Sequence, residues 1–343
     1  MTHERPAGRK RRRPGPALLV QVLVSVSVLV WLFYHADWQA LGTRFSEMRI
    51  SWFLAAVLAY AANLSLSSVR WGVILRALKV PAPAVWLLRL NWVGAYFNQV
   101  LPGSVSGDVV RAWYTRPQTR SATLALAAVF GDRFLGMGAL VGIAAVAYAI
   151  GQKSADLLPR MGETITLLAS GYLFTVLLIL SSKLDFLETR AGKLGRKLHE
   201  IRTGMAALLR HPIAMLQSIV LSLLVQMCSI LMFWFLALSL KVPADETALL
   251  IIWPVISLFL AVPFSLAGWG VREGLMVFYL GFLHVSHDQA LAMSLLLGAT
   301  VLLTSLPGAL LWLGVHQHRQ ASAGAVTGTL GRESPIEESR LPR

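Results

Sequence analysis

The sequence predicts an all-α polytopic membrane protein with about six full spans, two broken or re-entrant helical segments and an inverted internal repeat. Of its 343 residues, 56% are hydrophobic and 14% are charged, which is too apolar for a soluble globular protein. Several apolar runs approach the 20 or so residues that a spanning helix needs. In addition, one motif with the pattern Pro-x-Ser-x-x-Gly-x-x-x-Arg occurs in both halves of the chain.

The chain begins with a basic segment, residues 1–16, followed by an apolar run over 17–35. That run could be mistaken for a signal peptide, but no small-x-small cleavage pattern follows it. We therefore predict a retained first span preceded by a cytoplasmic tail, because Lys and Arg concentrate on the cytoplasmic side of membrane proteins.

Five further apolar runs are long enough to cross a bilayer. They cover residues 52–69, 124–150, 163–181, 213–240 and 290–315. Two weaker runs, 84–101 and 248–266, each lead into an interruption that contains Pro, Ser and Gly. We interpret both as re-entrant or broken helices. If each instead crossed the bilayer fully, the chain would have eight spans. The predicted transmembrane domain covers 17–316, and a polar, disordered tail is expected over 317–343.

The distribution of Lys and Arg sets the predicted orientation. Basic residues mark the segments 1–16, 70–79, 111–120 and 182–212 as cytoplasmic, and Arg70 stands at the start of the second of these. Lower positive charge places 36–50, 151–162 and 241–247 outside. The net charge of +14 follows from this pattern and does not indicate a nucleic-acid partner. We expect a bacterial-type inner-membrane protein with both termini in the cytoplasm.

An internal duplication is indicated by two matches that occur at nearly the same offset. The motif occupies Pro102 to Arg111 and again Pro263 to Arg272. Upstream of each copy stands the pentapeptide Leu-Lys-Val-Pro-Ala, at 78–82 and at 240–244. Agreement of the two offsets to within one residue argues against coincidence and for a repeat.

The predicted orientation makes the two copies inverted. The helix before the first pentapeptide runs inward and its counterpart runs outward, so the copies at about 52–150 and 213–315 have opposite directions. Inversion brings the two broken helices together near the bilayer midplane. Paired interruptions of this kind predict the substrate site of a transporter, because irregular backbone within a bilayer is tolerated only beside protein or a water-lined cavity.

The charged residues at the interruptions are the candidate substrate-binding groups. Arg111 and Arg272 occupy matching positions, and an arginine offers a permanently charged planar fork suited to phosphate. Arg111 alone is equally well explained as an interface anchor, whereas Arg272 falls in a segment predicted to lie outside. Asp108 and Glu273 stand beside them and can pair with the local arginine, pair with the arginine of the other copy, or carry a coupling proton.

Three further polar residues belong to the candidate site. Asp132 and Arg133 lie in the first third of the run 124–150, where a charge costs roughly 2.5–3.5 kcal/mol near the helix centre. That cost favours a role in a cavity over a pair that only fixes helix packing. Asn98 precedes the first interruption and can either join helices or contact substrate.

Glycine and proline mark the predicted backbone breaks. Glycine allows positive φ or close approach of a neighbouring backbone. The residues concerned are Pro102, Gly103, Gly107, Pro263, Gly268 and Gly270.

Signatures of an enzyme are missing from the sequence. It contains no P-loop, no zinc-ligand spacing and no catalytic triad, so we expect no cofactor and no metal. The single cysteine, Cys228, cannot form an intrachain disulfide. Without an ATP-binding domain, transport is expected to be passive or ion-coupled unless a partner supplies the energy.

Three ordered motifs resemble the signature regions of one family. They are Asn98 through Gly103 to Arg111, Asp132 to Gly136, and Pro263 to Gly274. The family is the membrane domain of lysylphosphatidylglycerol synthases, the flippase-like family, and the resemblance covers roughly residues 17–315. Its middle signature usually has Glu where Asp132 stands, so the charge is kept. The soluble aminoacyltransferase domain of the bifunctional members has no counterpart in this sequence.

The resemblance implies lipid translocation without synthase activity. Expected substrates are an anionic or aminoacylated phospholipid or a polyprenyl-phosphate-linked lipid, with phosphate held by Arg111, Arg133 and Arg272. An accessory or assembly role beside a separate lipid-modifying enzyme or glycosyltransferase is the main alternative. An intramembrane lipid-modifying enzyme is a further alternative, but it lacks a recognisable nucleophile and base.

Overall fold

The computed structural model describes residues 34–80, 82–101, 105–119, 121–151, 156–181, 192–261 and 268–313, together with 23, 26–28, 30–32 and 153. The tails predicted at 1–16 and 317–343, and Pro102, Gly103 and Pro263, lie outside these residues. In the described ranges the regular structure is helical and contains no strand. In chain order the helices are α1 Trp38–Ser46, α2 Ile50–Ala77, α3 Ala84–Val100, α4 Ser106–Thr119, α5 Ala122–Ile150, α6 Met161–Leu180, α7 Gly192–Leu209, α8 Pro212–Ser239, α9 Glu246–Ala261, α10 Val271–Gly281 and α11 His287–Ser305.

Five of these helices are long and apolar enough to cross a membrane. They are α2, α5, α6, α8 and the helix from His287 to Leu313 that contains α11. At 1.5 Å of rise per residue, the 28 residues of α2 span about 42 Å, more than the hydrocarbon core of a bilayer. The protein is therefore an all-α polytopic membrane protein, as the sequence predicts.

The two weaker apolar runs form short helices that precede the interruptions. Helix α3 has 17 residues and α9 has 16, about 25 Å each and less than a full crossing. After each interruption comes another short helix, α4 or α10. Both halves thus have the same order: a long helix, two short helices around a break, and a second long helix.

Two large apolar cores lie at opposite ends of the bundle. The first core contains Trp71, Leu75 and Ala125, and the second contains Ala56 and Ala147. Helices α2 and α5 each contribute residues to both cores, so they run from one end of the bundle to the other.

The two pairs of short helices enter from opposite ends. Leu87 of α3 and Ala112 of α4 pack in the first core. Ala248 of α9 and Leu280 of α10 pack in the second core. Each pair is therefore a hairpin whose open end lies at one core and whose break points away from that core.

The long helices α2 and α8 pack against each other in antiparallel fashion. The rings of Trp52 and Phe235 stack with their centroids 5.4 Å apart. Further along α2, Asn63 Nδ2 donates to the carbonyl oxygen of Val225 over 2.7 Å. Residue numbers rise along α2 and fall along α8, which is the arrangement that an inverted repeat requires.

The repeated pentapeptide forms the same helix cap in both copies. Lys79 has φ 59° and Lys241 has φ 51°, a left-handed conformation that is uncommon for residues other than glycine. In both caps the following valine donates its N–H to a carbonyl five residues earlier, over 2.9 Å. This 6→1 bond is the Schellman motif that ends many helices.

One predicted boundary was wrong, and two predicted loops contain helices. Helix α2 continues to Ala77, past the end of the predicted apolar run at residue 69, so Arg70 lies inside this helix. The predicted outer loop contains α1, whose first N–H groups bond to the side chain of Asp37. The predicted basic loop contains α7. Each difference arises because charge marks a chain segment as polar without excluding a helix.

Candidate functional site

A cavity of about 360 Å³ lies between the two halves of the protein. Its walls include residues of α2, α3, α4, α5, α8, α9, α10 and α11. The predicted site residues that line it are Asn98, Asp108, Arg111, Asp132, Arg133, Gly268 and Arg272. Three motifs separated in sequence therefore converge on one space.

Asp132 lies at the centre of a buried network of charges. Its Oδ1 accepts a hydrogen bond from Arg70 Nε over 2.7 Å, and its Oδ2 accepts one from Arg111 Nη2 over 3.0 Å. The Asp132 side chain is 3% exposed, and a carboxylate buried to this degree needs such partners. It thereby joins α5 to both α2 and α4.

Asp108 extends the network toward the cavity. Its Oδ2 accepts from Arg133 Nε over 2.5 Å, and its Oδ1 lies 3.4 Å from Arg111 Nη1. Charges alternate from Arg70 through Asp132, Arg111 and Asp108 to Arg133. The Arg133 side chain is 36% exposed, which makes it the most accessible member. Asp132 and Arg133 are neighbours in sequence but have different partners, because adjacent residues of a helix do not face each other.

Arg111 is enclosed by α2 and α3. Its guanidinium lies 4.2 Å from the centre of the Trp71 ring, a cation–π contact. Gly94 provides the space, since an added Cβ would stand 3.0 Å from the Arg111 side chain. Among the described residues, the buried Nε of Arg111 has no hydrogen-bond partner.

Arg272 has a similar environment in the other half. Its guanidinium lies 4.6 Å from the Trp269 ring and donates from Nη2 to Glu273 Oε1 over 2.5 Å and from Nε to Ser294 Oγ over 3.1 Å. Gly298 leaves room for it, because an added Cβ there would be 2.6 Å from Nη2. Each repeat thus holds its arginine with an indole ring, a carboxylate and a glycine.

Glu273 lies behind the cavity wall. Its side chain is fully buried and is not among the groups that line the cavity. Besides binding Arg272, it accepts from the backbone N–H of Gly270 over 2.6 Å and so caps α10. Glu273 therefore positions Arg272 and the start of helix α10.

The glycines at the two breaks serve different needs. A Cβ on Gly107 would stand 1.9 Å from the carbonyl oxygen of Gly94, so the backbones of α3 and α4 touch here. The N–H of Gly107 donates to Asn98 Oδ1 over 2.7 Å, which commits the Asn98 amide oxygen to the hairpin. In the second copy, Gly268 and Gly270 have φ 85° and 84°, which glycine adopts at little cost.

Arg70 is the residue that sequence reasoning missed. It lines the cavity together with Tyr60, Asn63 and Ser67. Their spacing of three, four and three residues is typical of one face of a helix. This polar stripe is the signal that identifies α2 as a cavity wall.

Comparison with known protein families identifies one that the chain matches. The sequence profile described as the lysylphosphatidylglycerol synthase TM region matches residues 18–308, well over half of the chain and every residue that lines the cavity. Among proteins of curated function, no match is found.

Proposed function

The chain belongs to the lysylphosphatidylglycerol synthase transmembrane family, and from that premise we propose that it moves a phosphate-bearing lipid between the two leaflets of a membrane. The observation that carries the proposal is the arginine-lined cavity between the two inverted halves. A lipid headgroup would enter this cavity while its acyl chains stay in the bilayer.

The charge of the cavity suits an anionic headgroup. Arg70, Arg111, Arg133 and Arg272 line it. Asp108 and Asp132 line it too, and Glu273 lies directly behind Arg272. Four guanidinium groups against three carboxylates leave one positive charge in excess. Guanidinium groups bind phosphate oxygens with charge-assisted hydrogen bonds, often two at once.

The arrangement of the helices supports alternating access to the cavity. Its walls include both hairpins, which enter from opposite ends of the bundle. Inverted repeats can exchange conformations, so that a site between them opens first to one side and then to the other. Asp132 binds both α2 and α4, so movement of the first hairpin would require its ion pairs to rearrange.

The same proposal includes an orientation. The end of the bundle at the first core carries Arg76, Lys79 and Arg116. At the second-core end, Arg49 and Lys241 stand among the acidic residues Glu47, Asp245 and Glu246. Lys and Arg favour the cytoplasmic side. We therefore place the first core, and both termini, at the cytoplasmic face of a bacterial-type inner membrane.

The test is lipid translocation in liposomes that contain the purified full chain. Fluorescent phosphatidylglycerol, lysylphosphatidylglycerol and a polyprenyl phosphate are supplied separately, and mass spectrometry of the same samples checks that each lipid is unchanged. We expect at least one of these lipids to cross faster than in protein-free liposomes.

Arg133→Gln is the informative variant, because Arg133 is partly exposed and its loss leaves Arg70, Asp132 and Arg111 in place. We expect it to slow translocation at least tenfold. Arg116→Gln removes an exposed arginine of α4 that does not line the cavity, and its rate should match that of the unmodified protein. Chemically altered lipid would indicate an enzyme, and absence of movement for all three lipids would favour an accessory role beside a separate envelope enzyme.

A further inference from the structure

The charged and polar side chains of the cavity wall bear on which lipid headgroup it takes. We propose that the cavity takes a phosphate-bearing headgroup without an ammonium group, and that it disfavours aminoacylated and zwitterionic headgroups. This inference rests on the proposed function and specifies the substrate class of the same site.

The first argument concerns the carboxylates, which an ammonium group would need as partners. Asp132 uses one oxygen for Arg70 and the other for Arg111. Asp108 uses one oxygen for Arg133 and has Arg111 beside the other. Both are at least 95% buried. In the described wall of the cavity, each carboxylate therefore already has two arginine partners.

Glu273 and the two breaks that the structure does not describe supply no further carboxylate for an ammonium group. Both oxygens of Glu273 accept hydrogen bonds, from Arg272 and Ser294 on one side and from the Gly270 N–H on the other. Residues 102–104 and 262–267 contain no Asp or Glu. An ammonium group that entered the cavity would thus meet guanidinium groups without a carboxylate of its own, and like charges repel strongly in a low-dielectric site.

The two indole rings beside the repeated arginines are already engaged. An indole ring can hold a cation above its face. Arg111 covers one face of Trp71 and Arg272 covers one face of Trp269, at 4.2 and 4.6 Å. The described aromatic residues that line the cavity are Tyr60 and Trp253, and Trp253 stacks on Phe233 and donates its ring N–H to Ser229.

Two buried hydrogen-bond donors in the cavity wall have no acceptor among the described residues. They are the Nε of Arg111 and the hydroxyl of Ser257, and both residues line the cavity. A buried donor without an acceptor is costly. Side-chain movement that turned either donor toward the cavity would let the oxygens of a phosphate relieve this cost.

Two classes of lipid share this chemistry. One is a phosphodiester phospholipid whose headgroup carries only hydroxyl groups, and the other is a polyprenyl phosphomonoester. A cavity of about 360 Å³ lies within the range of roughly 300–1,000 Å³ that is typical of small-molecule pockets. That volume suits a compact headgroup of either class.

The first arm of the test is binding to the purified full chain in detergent, measured by isothermal titration calorimetry. The probes are short-chain phosphatidylglycerol, phosphatidylethanolamine, lysylphosphatidylglycerol and a short-chain polyprenyl phosphate. We expect phosphatidylglycerol or the polyprenyl phosphate to bind at least tenfold more tightly than the two ammonium-bearing lipids. Tighter binding of phosphatidylglycerol would identify a phosphodiester phospholipid as the substrate class, and tighter binding of the polyprenyl phosphate would identify a polyprenyl phosphomonoester. Binding of either ammonium-bearing lipid with equal affinity, or of none of the four, would overturn the inference.

The second arm adds an acidic group to the cavity. Gln99 lines it and is partly buried, so Gln99→Glu supplies a carboxylate of nearly the same shape without removing an arginine. We expect this variant to reduce the preference for phosphatidylglycerol over lysylphosphatidylglycerol at least tenfold. Gln217→Glu places the same charge at an exposed position of α8 outside the cavity and should leave the preference unchanged. An unchanged preference in Gln99→Glu would contradict the inference.

The liposome assay separates this inference from the proposed function. Equal translocation of phosphatidylglycerol and lysylphosphatidylglycerol would overturn the selectivity and leave the translocase intact. Selective binding without any translocation would uphold the selectivity and overturn the translocase.

Discussion

At the scale of single residues, the sequence is sufficient to predict some of the buried charged residues of the site but not all of them. Asp132 and Arg111 could be predicted as site residues because a charge in a membrane segment is costly and because Arg111 recurs in the repeated motif. Arg70 could not be found in this way, since an arginine at the end of an apolar run is ordinarily assigned to the cytoplasmic side. Its contact with Asp132 depends on how α2 packs against α5.

We expect Asp132→Asn to destabilise the protein strongly. The substitution leaves the guanidinium groups of Arg70 and Arg111 buried without their shared counter-charge, and breaking a buried pair in this way costs about 3–5 kcal/mol. Unfolding of the purified protein in detergent, followed by heat or denaturant, measures the loss. Glu47→Gln is the control, because Glu47 pairs with Lys241 over 3.2 Å at an exposed site and should cost less than about 1 kcal/mol. Equal losses in the two variants would mean that the buried network contributes little.

At the scale of elements, the sequence predicts where the helices break but not how the broken helices pack. The weak apolar runs predicted both ends of α3 to within one residue and the start of α9 to within two residues. The close approach of Gly107 to Gly94 was not predictable, because either glycine could equally have supplied a positive φ. Only the antiparallel packing of α3 and α4 brings their backbones together at this pair.

We expect Gly107→Ala to disturb the first hairpin. The new Cβ would stand 1.9 Å from the Gly94 carbonyl oxygen, so α3 and α4 must separate, and overpacking of this kind typically costs about 1–3 kcal/mol. Gly142→Ala is the matched control within helix α5, where no atom of the described residues lies within 4 Å of the new Cβ. There the higher helix propensity of alanine should stabilise the protein by up to about 1 kcal/mol. Unfolding curves of the two variants should therefore shift in opposite directions, and shifts of the same sign would contradict the packing described for the hairpin.

At the scale of the whole molecule, the sequence predicts the opposite directions of the two copies. The repeated pentapeptide locates equivalent positions, and the distribution of Lys and Arg orients them. The antiparallel contacts between α2 and α8 agree with that prediction. The shared environment of Arg111 and Arg272 was beyond sequence reasoning, because Trp71 and Trp269, like Gly94 and Gly298, do not occupy corresponding positions in the repeat.

We expect the two identical pentapeptides to face opposite sides of the membrane. Lys79→Cys and Lys241→Cys are introduced separately into a Cys228→Ser background, which has no cysteine of its own. Both positions are exposed, so a membrane-impermeant maleimide should label residue 79 only from the cytoplasmic side and residue 241 only from the outer side. The background protein without an added cysteine is the control for non-specific labelling. Labelling of both positions from the same side would exclude an inverted arrangement.

Helix α6 determines the direction of the second repeat copy relative to the first. Each copy crosses the bundle twice, through its two long helices. Because two crossings cancel, the chain leaves each copy at the same end of the bundle where it entered. Helix α6 starts at the second core with Met161 and ends beside Phe134 and Met205, and this single odd crossing reverses the copy that follows. A chain without it would place two parallel copies side by side. The position of Arg111 and Arg272 on hairpins from opposite ends of the bundle therefore depends on a helix that contributes no residue to the cavity wall.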